Sequence, residues 1–586
     1  MLRNSIGNNE KHTRGKSMNQ IQKRLFIWIV LFSIVLGNEA FSITACANTA
    51  NTKSDIVMSV NDSQDEVKIE KIFSVHDITY YAIAKSKKFK TNQVIAMGYT
   101  GNKKKISIPE SVTYDNTKYT VTKVGNNEMN TVRGYWMDHA SQWGTTVNTI
   151  VLPNTINELC EYAFVNVKTL KNINIPKSMK YIKGYAFSNT KIEKLTIPKN
   201  VEIFEISVFC SNLREIIVDK NNKNYMSSGG ALYTKDGKTL LSAPAVSQYT
   251  APKGVSKISF YAFHGNKNLK SVVIPKNVKV VECNAFQECS NLSDVKIEKG
   301  INSIGEGAFS CCNSLKKINL PESITELGDC AFEDCTSLES LKIPNKVTTI
   351  NNLVVGCTNL KTLEIPDSVI EINELFPGCS SLEKIIANRV DNRVLCDQTA
   401  LFVAAAKKDI QGLDVLLTED DREGIKILRD FYKTVNDSDS DVIKVKKAHD
   451  WLVRFIEYDY DLYYNGREPS TEFNNASFFI NRKRVCTGYA VFMSALCDLV
   501  DVESMLCFGT AYGAKYAAGI VKTPEGHAWN LIKIDGEWYH LDATWDDLKG
   551  DRVGYNYFLI SDKQMSKDHQ WEASEYPICS NTITNY

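Results

Sequence analysis

Three short segments near the C-terminus contain the residue types that acyl-transfer chemistry requires. Cys486 follows the basic run Arg482-Lys483-Arg484 and precedes an apolar stretch with helical spacing, so the pattern places it at the N-terminus of a helix. The unpaired N–H groups and the dipole of a helix N-terminus favour an anion, and nearby basic side chains add to this effect. We therefore expect a thiol that ionises readily and acts as a nucleophile, with the same N–H groups available as an oxyanion hole.

The other two segments are predicted to form a β-hairpin that supplies a base. Asp535-Gly536, a strong two-residue turn signal, separates a segment containing His527 and Trp529 from one containing His540 and Asp542. In that register Trp529 faces Asp542, and His527 lies diagonally across from Asp542 on the same face. A carboxylate that holds an imidazole is what a general base needs. One additional turn residue would break this register.

This arrangement resembles the transglutaminase-like, papain-like family over about residues 440–586. The motifs Cys-x-Gly-Tyr-Ala, Gly-His-Ala-Trp-Asn and Leu-Asp-x-Thr-Trp occur in the family's order. The resemblance implies that Cys486 is the nucleophile, His527 the base and acid, and Asp542 the orienting group. It also implies an aromatic wall along a substrate cleft, for which the substrate-binding candidates are Trp529, Trp545 and Tyr489.

Other polar residues of the same region receive structural interpretations. Asp568-His569-Gln570-Trp571 resembles the C-terminal part of bacterial members, and a hydrogen-bonded structural role is favoured for His569 over contact with substrate. Cys497 belongs to the buried face of the predicted helix, whereas a disulfide from Cys507 or Cys579 to another thiol stays open. The proposed chemistry needs no metal or other cofactor, and the eight histidines of the chain show no cluster that would hold a metal.

The elements before this region form a repeat array with a period of 22 or 23 residues. Each unit reads Leu-x-x-Ile-x-Leu-Pro followed by an Ala-Phe pair, which indicates a short strand closed by proline and then a return turn with an inward aromatic ring. A single unit cannot bury its apolar face, so the units must stack into a solenoid with one parallel sheet. The period is marked by prolines at Pro153, Pro176, Pro198, Pro252, Pro275, Pro321, Pro344 and Pro366.

The array resembles the surface-antigen type of leucine-rich repeat found in secreted bacterial and protozoan proteins. Residues 65–100 are predicted to form its N-terminal cap, and the insertion around residues 227–237 reads as a hairpin on the rim. Recurrent cysteines are predicted to form a buried interior ladder, whereas the Cys311-Cys312 pair leaves a vicinal disulfide or a metal site as the sharper alternative. His139 and His264 are interpreted as surface residues, and the resemblance implies binding of a protein or glycan.

The first 47 residues are predicted to be a signal peptide. Lys23 and Arg24 precede an apolar run too short to span a membrane, and Ala45-Cys46-Ala47 is a small-residue site. Ile43-Thr44-Ala45-Cys46 also resembles a lipoprotein box, which would place a lipid on Cys46. The mature protein is thus expected to be secreted or held at the cell surface, with no integral membrane span. The leader and the Lys- and Asn-rich composition suggest a bacterium.

These patterns define a multidomain fold: a leucine-rich repeat solenoid (parallel β, right-handed) followed by an α+β transglutaminase-like domain. The predicted boundaries are 1–47 for the leader, 48–390 for the solenoid with its cap, 391–440 for a helical linker with helices over 397–417 and 420–435, and 441–586 for the catalytic domain. Lys+Arg total 69 against 68 for Asp+Glu, which argues against bulk nucleic-acid binding.

Two functions from different classes remain open. The first is an exported thiol enzyme that crosslinks, hydrolyses or deamidates protein or peptide substrates, with host or cell-wall proteins bound through the repeats. The second is a cell-surface adhesin whose transglutaminase-like domain is catalytically silent. The complete Cys/His/Asp set favours the enzyme, since a decayed site is expected to have lost at least one of these residues.

Overall fold

The computed structural model describes most of the chain from Ile69 onward. The signal-peptide and lipidation predictions at Cys46, and the surface assignment of His139, fall outside the described residues. In the part of the chain that the structure describes, no helix is long and apolar enough to cross a membrane. The described residues are 69–85, 91–125, 143–205, 212–373, 377–388, 394–396, 399–460, 477–480, 482–512, 525–548 and 552–586.

The described residues before the repeats form two antiparallel hairpins, of which the first falls within the predicted cap over 65–100 and the second lies beyond it. Ile69–Val75 pairs with Ile78–Ile83 across a turn at His76 and Asp77, whose φ angles of 51° and 63° suit a tight hairpin. Ile78–Ile83 pairs in turn with Gln93–Tyr99. Gln93–Tyr99 then runs parallel to Thr117–Val124, a strand of the second hairpin, and this pairing leads into the repeats.

Most repeats contribute two short strands rather than one, although the repeat that contains Glu326–Leu327 has only a bridge between Lys317 and Ser340 in place of its first strand. In Ser271–Ile274 every second side chain is buried, and the chain turns at Pro275 into the shorter strand Val280–Val281. Equivalent strands of successive repeats pair in parallel in the same register, as Val272 does with Val295 and Val281 with Ile304. The expectation of one parallel sheet is therefore wrong, because the turn at the proline starts a second strand. Parallel strands therefore stack in two ladders along the solenoid.

The strands before each proline position make up the first ladder, and those after it the second. The first ladder consists of Lys105–Ser107, Thr149–Val151 and Asn172–Ile173; Lys194–Ile197 and Glu215–Val218; Gln248–Thr250, Ser271–Ile274 and Asp294–Ile297; and Ser340–Lys342, Thr362–Glu364 and Lys384–Ile386. The second ladder contains Thr117–Val124 (with its hairpin partner Ser111–Tyr114), Glu158–Leu159, Tyr181–Ile182 and Ile203–Phe204; Lys257–Ile258, Val280–Val281, Ser303–Ile304 and Glu326–Leu327; and Thr349–Asn351, Glu371–Asn373 and Val394–Cys396.

The insertion forms the predicted hairpin but joins a sheet instead of standing on the rim. Tyr225–Ser228 and Ala231–Thr234 pair across Gly229-Gly230, whose φ angles of 57° and 80° require residues without a Cβ penalty. Ala231–Thr234 then pairs with Thr239–Ser242, which runs parallel to the next repeat strand, Lys257–Ile258. The insertion thus begins a new stretch of the second ladder.

Aromatic rings and thiols fill the solenoid interior in register. Successive Phe rings stack with centroid separations of 4.5, 5.0 and 5.7 Å along Phe263, Phe286, Phe309 and Phe332. Each ladder thiol donates to a main-chain carbonyl of the preceding repeat at 3.1–3.3 Å, and burial raises the pKa of each. This confirms the predicted interior ladder, whose members are Cys289, Cys312, Cys335, Cys357 and Cys379.

Two helices, Thr399–Lys407 and Glu419–Tyr432, connect the last repeat to the C-terminal region, which begins with the helix Asp441–Phe455. The predicted helix over 397–417 is wrong beyond Lys407. Gln411 forms a parallel bridge with Lys384 of the last repeat, and Gly412 follows with a φ of 79°, so the chain leaves the helix to extend the first ladder. A 3₁₀ turn at Leu413–Val415 precedes the second helix.

The second helix begins in a capping box, in which Thr418 and Asp421 bond each other's main chain. The first helix packs against the C-terminal region through Leu401 and Phe402, whose ring centroid lies 6.0 Å from that of Phe479. One hydrophobic core therefore runs from the repeats through these helices to the C-terminal region.

The C-terminal region is α+β, as predicted. Its main sheet is antiparallel, with the strand order Glu537–Leu541, Glu525–Ile534, Ser504–Ala511 and His569–Trp571. The remaining elements are the parallel pair Glu457–Tyr458 and Lys483–Arg484, the helices Ser477–Ile480, Cys486–Leu499 and Asp562–Met565, and a 3₁₀ turn at Ala573–Glu575.

Candidate active site

Cys486 is the first residue of the helix Cys486–Leu499. The helix starts after Val485, whose extended backbone (φ −96°, ψ 179°) turns the chain out of the preceding strand. Tyr489 N–H is the first to bond back, to Val485 O at 3.2 Å, so the N–H groups of residues 486–488 precede the helical hydrogen bonds. Gly488 lets the side chain of Arg484 lie against this first turn, since a Cβ there would collide with it. Main-chain N–H groups of the first helical turn thus lie next to the thiol.

His527 bridges the Cys486 thiol and the Asp542 carboxylate. Its Nε2 lies 2.7 Å from Asp542 Oδ2, so Nδ1 is the nitrogen available for the hydrogen bond to Cys486. The backbone N–H of Ala528 also donates to the Cys486 sulfur. The start of the helix Cys486–Leu499, the strand Glu525–Ile534 and the residue after the strand Glu537–Leu541 bring together all three residues that the sequence predicts as catalytic.

The electrostatics of this triad favour a thiolate–imidazolium pair. Burial opposes the charged form of Cys486, but the hydrogen bond and positive charge of His527 outweigh it and lower the pKa of the thiol. Burial likewise lowers the pKa of His527, but Asp542 and Cys486 overcome it and raise that pKa to about 10. Asp542 itself is buried, yet His527 and His569 hold its pKa well below the usual range.

The hairpin register explains why Asp542 reaches His527. Asp535 and Gly536 form the turn with φ angles of 50° and 87°, and Leu531 pairs with His540 as the sequence predicts. The second strand ends at Leu541, so the pairing of Trp529 with Asp542 is not continued as a ladder rung. Instead, Asp542 Oδ1 accepts N–H groups from Thr544 at 2.9 Å and Trp545 at 3.4 Å. These bonds leave Oδ2 directed at the imidazole.

Two of the three aromatic residues proposed for substrate contact lie behind the site. Tyr489 and Trp529 are each 1% exposed. Tyr489 donates to Asp547 Oδ2 at 2.6 Å, and Trp529 Nε1 donates to His540 Nδ1 at 2.9 Å. Trp545 is only partly buried, with its ring centroid 5.7 Å from that of His527. Trp545 is thus the aromatic candidate that retains accessible surface beside His527.

The structure adds two residues that sequence reasoning does not place at the site. His569 Nε2 lies 3.2 Å from Asp542 Oδ2, so Asp542 has a second imidazole partner. Tyr458 belongs to the strand paired with Lys483–Arg484, which leads into Cys486; burial and then the charge of Cys486 raise the pKa of its hydroxyl. The signal for His569 was its place beside Asp568, a carboxylate able to orient it; no local pattern marks Tyr458.

Among the described residues, two side-chain groups have ligand atoms close enough to share a metal ion, but hydrogen bonds already use ligand atoms of both groups. They are His527, Asp542 and His569, and His540, Asp562 and Cys579. In the second group, His540 Nδ1 accepts from Trp529, so the proton of the neutral ring is on Nε2, which faces Asp562 Oδ1 at 2.8 Å. A protonated nitrogen does not ligate a metal, so the donor set fits a hydrogen-bonded His–Asp pair better than a metal centre.

Comparison with protein families accounts for both halves of the chain. Residues 139–230 and 256–383 match the BspA type leucine-rich repeat region in six copies, and residues 430–543 match the transglutaminase-like superfamily. The protein therefore combines a BspA-type leucine-rich repeat region with a C-terminal transglutaminase-like domain.

Individual relatives resemble one part or the other. Human Kyphoscoliosis peptidase is 27% identical over 144 residues, which cover 23% of this chain and 22% of that protein, so the match spans about a fifth of the relative's length. The pneumococcal vaccine antigen PcpA aligns over 55% of this chain and 100% of its own, with 20% identity and a TM-score of 0.40. A putative cysteine protease from Cytophaga hutchinsonii aligns over 22% of this chain and 38% of its own, with 21% identity and a TM-score of 0.16.

Proposed function

We propose that the protein is a thiol acyl-transfer enzyme of transglutaminase-like type, acting on carboxamide or peptide groups of proteins. The observation that carries this proposal is the chain of hydrogen bonds from Cys486 through His527 to Asp542 at a helix N-terminus. The interaction between Cys486 and His527 lowers the pKa of the thiol and raises that of the imidazole. Both shifts favour an ionised nucleophile beside a protonated imidazole, as thiol acyl transfer requires. Similarity to a protein named a peptidase supports the same class of chemistry.

The proposed reaction begins when the Cys486 thiolate attacks the carbonyl carbon of the substrate and a C–S bond forms. The carbonyl oxygen becomes an oxyanion beside the N–H groups of the first helical turn, which are not used by helical bonds. His527 then gives its Nδ1 proton to the departing nitrogen, the C–N bond breaks, and a thioester remains on Cys486. Asp542 keeps the imidazole oriented throughout.

Release of the acyl group requires a second nucleophile. His527, now neutral, takes a proton from an amine or a water molecule as it attacks the thioester, and the thiolate leaves. Attack by an amine produces a new amide, as in a crosslink, whereas water produces a carboxylic acid, as in hydrolysis or deamidation. Trp545, beside His527 and partly exposed, is proposed as a wall of the cleft that admits this nucleophile.

The remaining parts of the proposal concern targeting. The repeats are proposed to bind a protein at the cell surface or of a host, raising the local concentration of substrate at residues 441–586. Export is proposed from the leader segment, with secretion or a lipid on Cys46 as the two arrangements. Replacing Cys46 with Ala in a cell fed labelled fatty acid distinguishes them, because only a lipoprotein loses label.

The proposal is tested by treating the full chain with iodoacetamide at pH 6 and mapping the modified cysteines by mass spectrometry. We expect Cys486 to react at least ~10-fold faster than an ordinary exposed thiol, and His527→Ala to abolish this advantage. Incubation with casein and a labelled amine then separates transfer from hydrolysis, because only transfer incorporates the amine while both reactions on glutamine release ammonia. Labelling of Cys486 at the ordinary rate would refute the enzyme and favour a binding protein with a silent domain.

A further inference from the structure

His569 occupies a buried position between two carboxylates. Its Nδ1 lies 2.7 Å from Asp568 Oδ1, and its Nε2 lies 3.2 Å from Asp542 Oδ2, the same oxygen that binds His527. The side chain is fully buried, and its ring centroid is 4.5 Å from that of Trp545 and 5.3 Å from that of His527. The ring is therefore part of the wall behind the triad and cannot reach substrate.

The partners of His569 determine where its protons are. Asp568 accepts from Tyr557, whose hydroxyl lies 2.6 Å from Oδ2, and Asp542 accepts from His527 and from main-chain N–H groups. Both carboxylates thus act as acceptors, so each ring nitrogen of His569 must donate. An imidazole with two N–H donors is an imidazolium. This ring lies between the buried carboxylate of Asp542 and the partly exposed carboxylate of Asp568, so negative and positive groups alternate along the row.

Main-chain pairing holds His569 in place at the edge of the main sheet. His569 begins the strand His569–Trp571 and pairs with Ala511 at the edge of the main sheet. Tyr512 N–H also donates to Asp568 O at 3.0 Å. Asp568 and His569 are therefore held on both sides, through the sheet and through Tyr557, and have little freedom to move away from Asp542.

We propose that His569 is a positioning residue of the catalytic centre: as an imidazolium held by Asp568, it fixes the Asp542 carboxylate on which His527 depends. The inference rests on the proposed function. His569 then supplies a second cation beside Asp542, and losing this cation changes the charge balance of the triad. Without that cation, the thiolate of Cys486 and the neutral form of His527 are both less favoured, so the pKa values of both groups rise.

The pH profile of thiol alkylation separates this role from a merely structural one. On the acid side of the profile, the rate of alkylation by iodoacetamide rises with pH as Cys486 ionises. In the full chain with His569→Gln, we expect this rise to occur about one pH unit higher. His569→Phe, which has no donor toward Asp542, is expected to shift it further and to slow alkylation at pH 6 by about 10-fold or more. The charged or titratable groups that face His569 are Asp542, Asp568, His527, His540 and Tyr557.

His540→Phe is the matched control, because His540 is equally buried in the same sheet and bonds to Asp562 instead of Asp542. It is expected to lower the thermal midpoint while leaving the alkylation profile within about 2-fold of the unsubstituted chain. Thermal scans identify any variant that fails to fold; if His569→Phe fails, His569→Gln decides.

The outcomes distinguish a failure of the positioning role of His569 from a failure of the proposed function. If the unsubstituted chain alkylates rapidly and both His569 variants keep its pH profile, the positioning role is wrong and the proposed function stands. The same conclusion follows if His540→Phe shifts the profile as much as His569→Phe. If Cys486 of the unsubstituted chain reacts as an ordinary thiol, the proposed function fails and this inference fails with it.

Discussion

At the residue scale, the lowered pKa of the Cys486 thiol results from two opposing effects, because burial alone would raise it. Burial raises the pKa of the ladder thiols, that of Cys379 to about 12, and it opposes ionisation of Cys486 too. What differs at Cys486 is His527, whose imidazolium supplies both a hydrogen bond and a charge. The pKa values of the ladder thiols and of Cys486 are therefore shifted in opposite directions within one chain.

The activity is expected to follow a bell-shaped pH profile. As pH falls below the lowered pKa of Cys486, the thiolate takes a proton and attack stops; as pH rises through about 10, His527 loses the proton that the leaving nitrogen needs. His527→Ala removes the cause of the thiol shift, so the acid limb should move upward and alkylation at pH 6 should fall by about 100-fold. A rate independent of pH between 5 and 8 in this variant would contradict the ion pair.

Asp542 has a matched counterpart that makes its role testable. Asp542→Asn keeps an acceptor but loses the charge, so kcat is expected to fall by about 10²–10⁴-fold with only a modest loss of thermal stability. Asp562 forms the corresponding hydrogen bond to His540, at 2.8 Å, and this pair does not include Cys486. Asp562→Asn should therefore destabilise the fold to a similar extent while changing kcat by less than about 3-fold. Equal losses of kcat in the two variants would argue against a specific role for Asp542.

The contact between His527 and Asp542 could be predicted from the sequence because both residues belong to one hairpin region, whereas Cys486 comes from a helix well before it and was indicated by its motif alone. Asp535-Gly536 determines the hairpin register, and the register brings Asp542 near His527. The bond from His569 to Asp542 joins residues 27 apart through a strand that pairs at the far edge of the sheet, and no local pattern encodes that pairing. Burial of Trp529 likewise depends on elements folded around it, so a cleft wall and a core residue look alike in sequence.

At the element scale, the repeats show how one pattern forms two ladders. The proline ends the first strand, and the residues after it form a second strand on which the next repeat stacks. Proline spacing and alternating apolar residues predicted the solenoid, but not the number of its sheets. The same limit applies to the helix over 397–417, which stops at Lys407 because Gly412 and Gln411 complete the last repeat.

The stacked phenylalanines are expected to contribute strongly to solenoid stability. Phe309 is completely buried and lies between Phe286 and Phe332 at 5.0 and 5.7 Å. Phe309→Ala should destabilise the repeats by about 3–5 kcal/mol, since it leaves a cavity that rigid neighbours cannot fill, and Phe309→Leu by less. Hydrogen exchange of the repeat strands measures the loss. Unchanged protection in Phe309→Ala would show that the rings do not support one another.

At the scale of the whole molecule, the repeats and the catalytic region share one hydrophobic core. The segment predicted as a helical linker is packed on both sides: Gln411 extends the last repeat, and Phe402 contacts Phe479 near the Cys486 helix. Lys407 also forms an ion pair with Asp501, just after that helix, at 2.6 Å. A partner held by the repeats would therefore stand in a fixed relation to the catalytic site, which a mobile linker would not provide.

This continuity predicts that a substitution in the connecting helix disturbs catalysis more than one in the repeats. Phe402 is 1% exposed, so Phe402→Ala should cost about 3–5 kcal/mol, and the cavity lies in the packing that supports the Cys486 helix. We expect faster loss of rapid Cys486 alkylation on heating. Phe309→Ala creates a comparable cavity within the repeats and serves as the control, with Cys486 reactivity at 25 °C unchanged and lost later on heating than in Phe402→Ala. If both variants lose reactivity at the same temperature, the molecule unfolds as a single cooperative unit; if neither affects it, the catalytic region is independent of the helices that join it to the repeats.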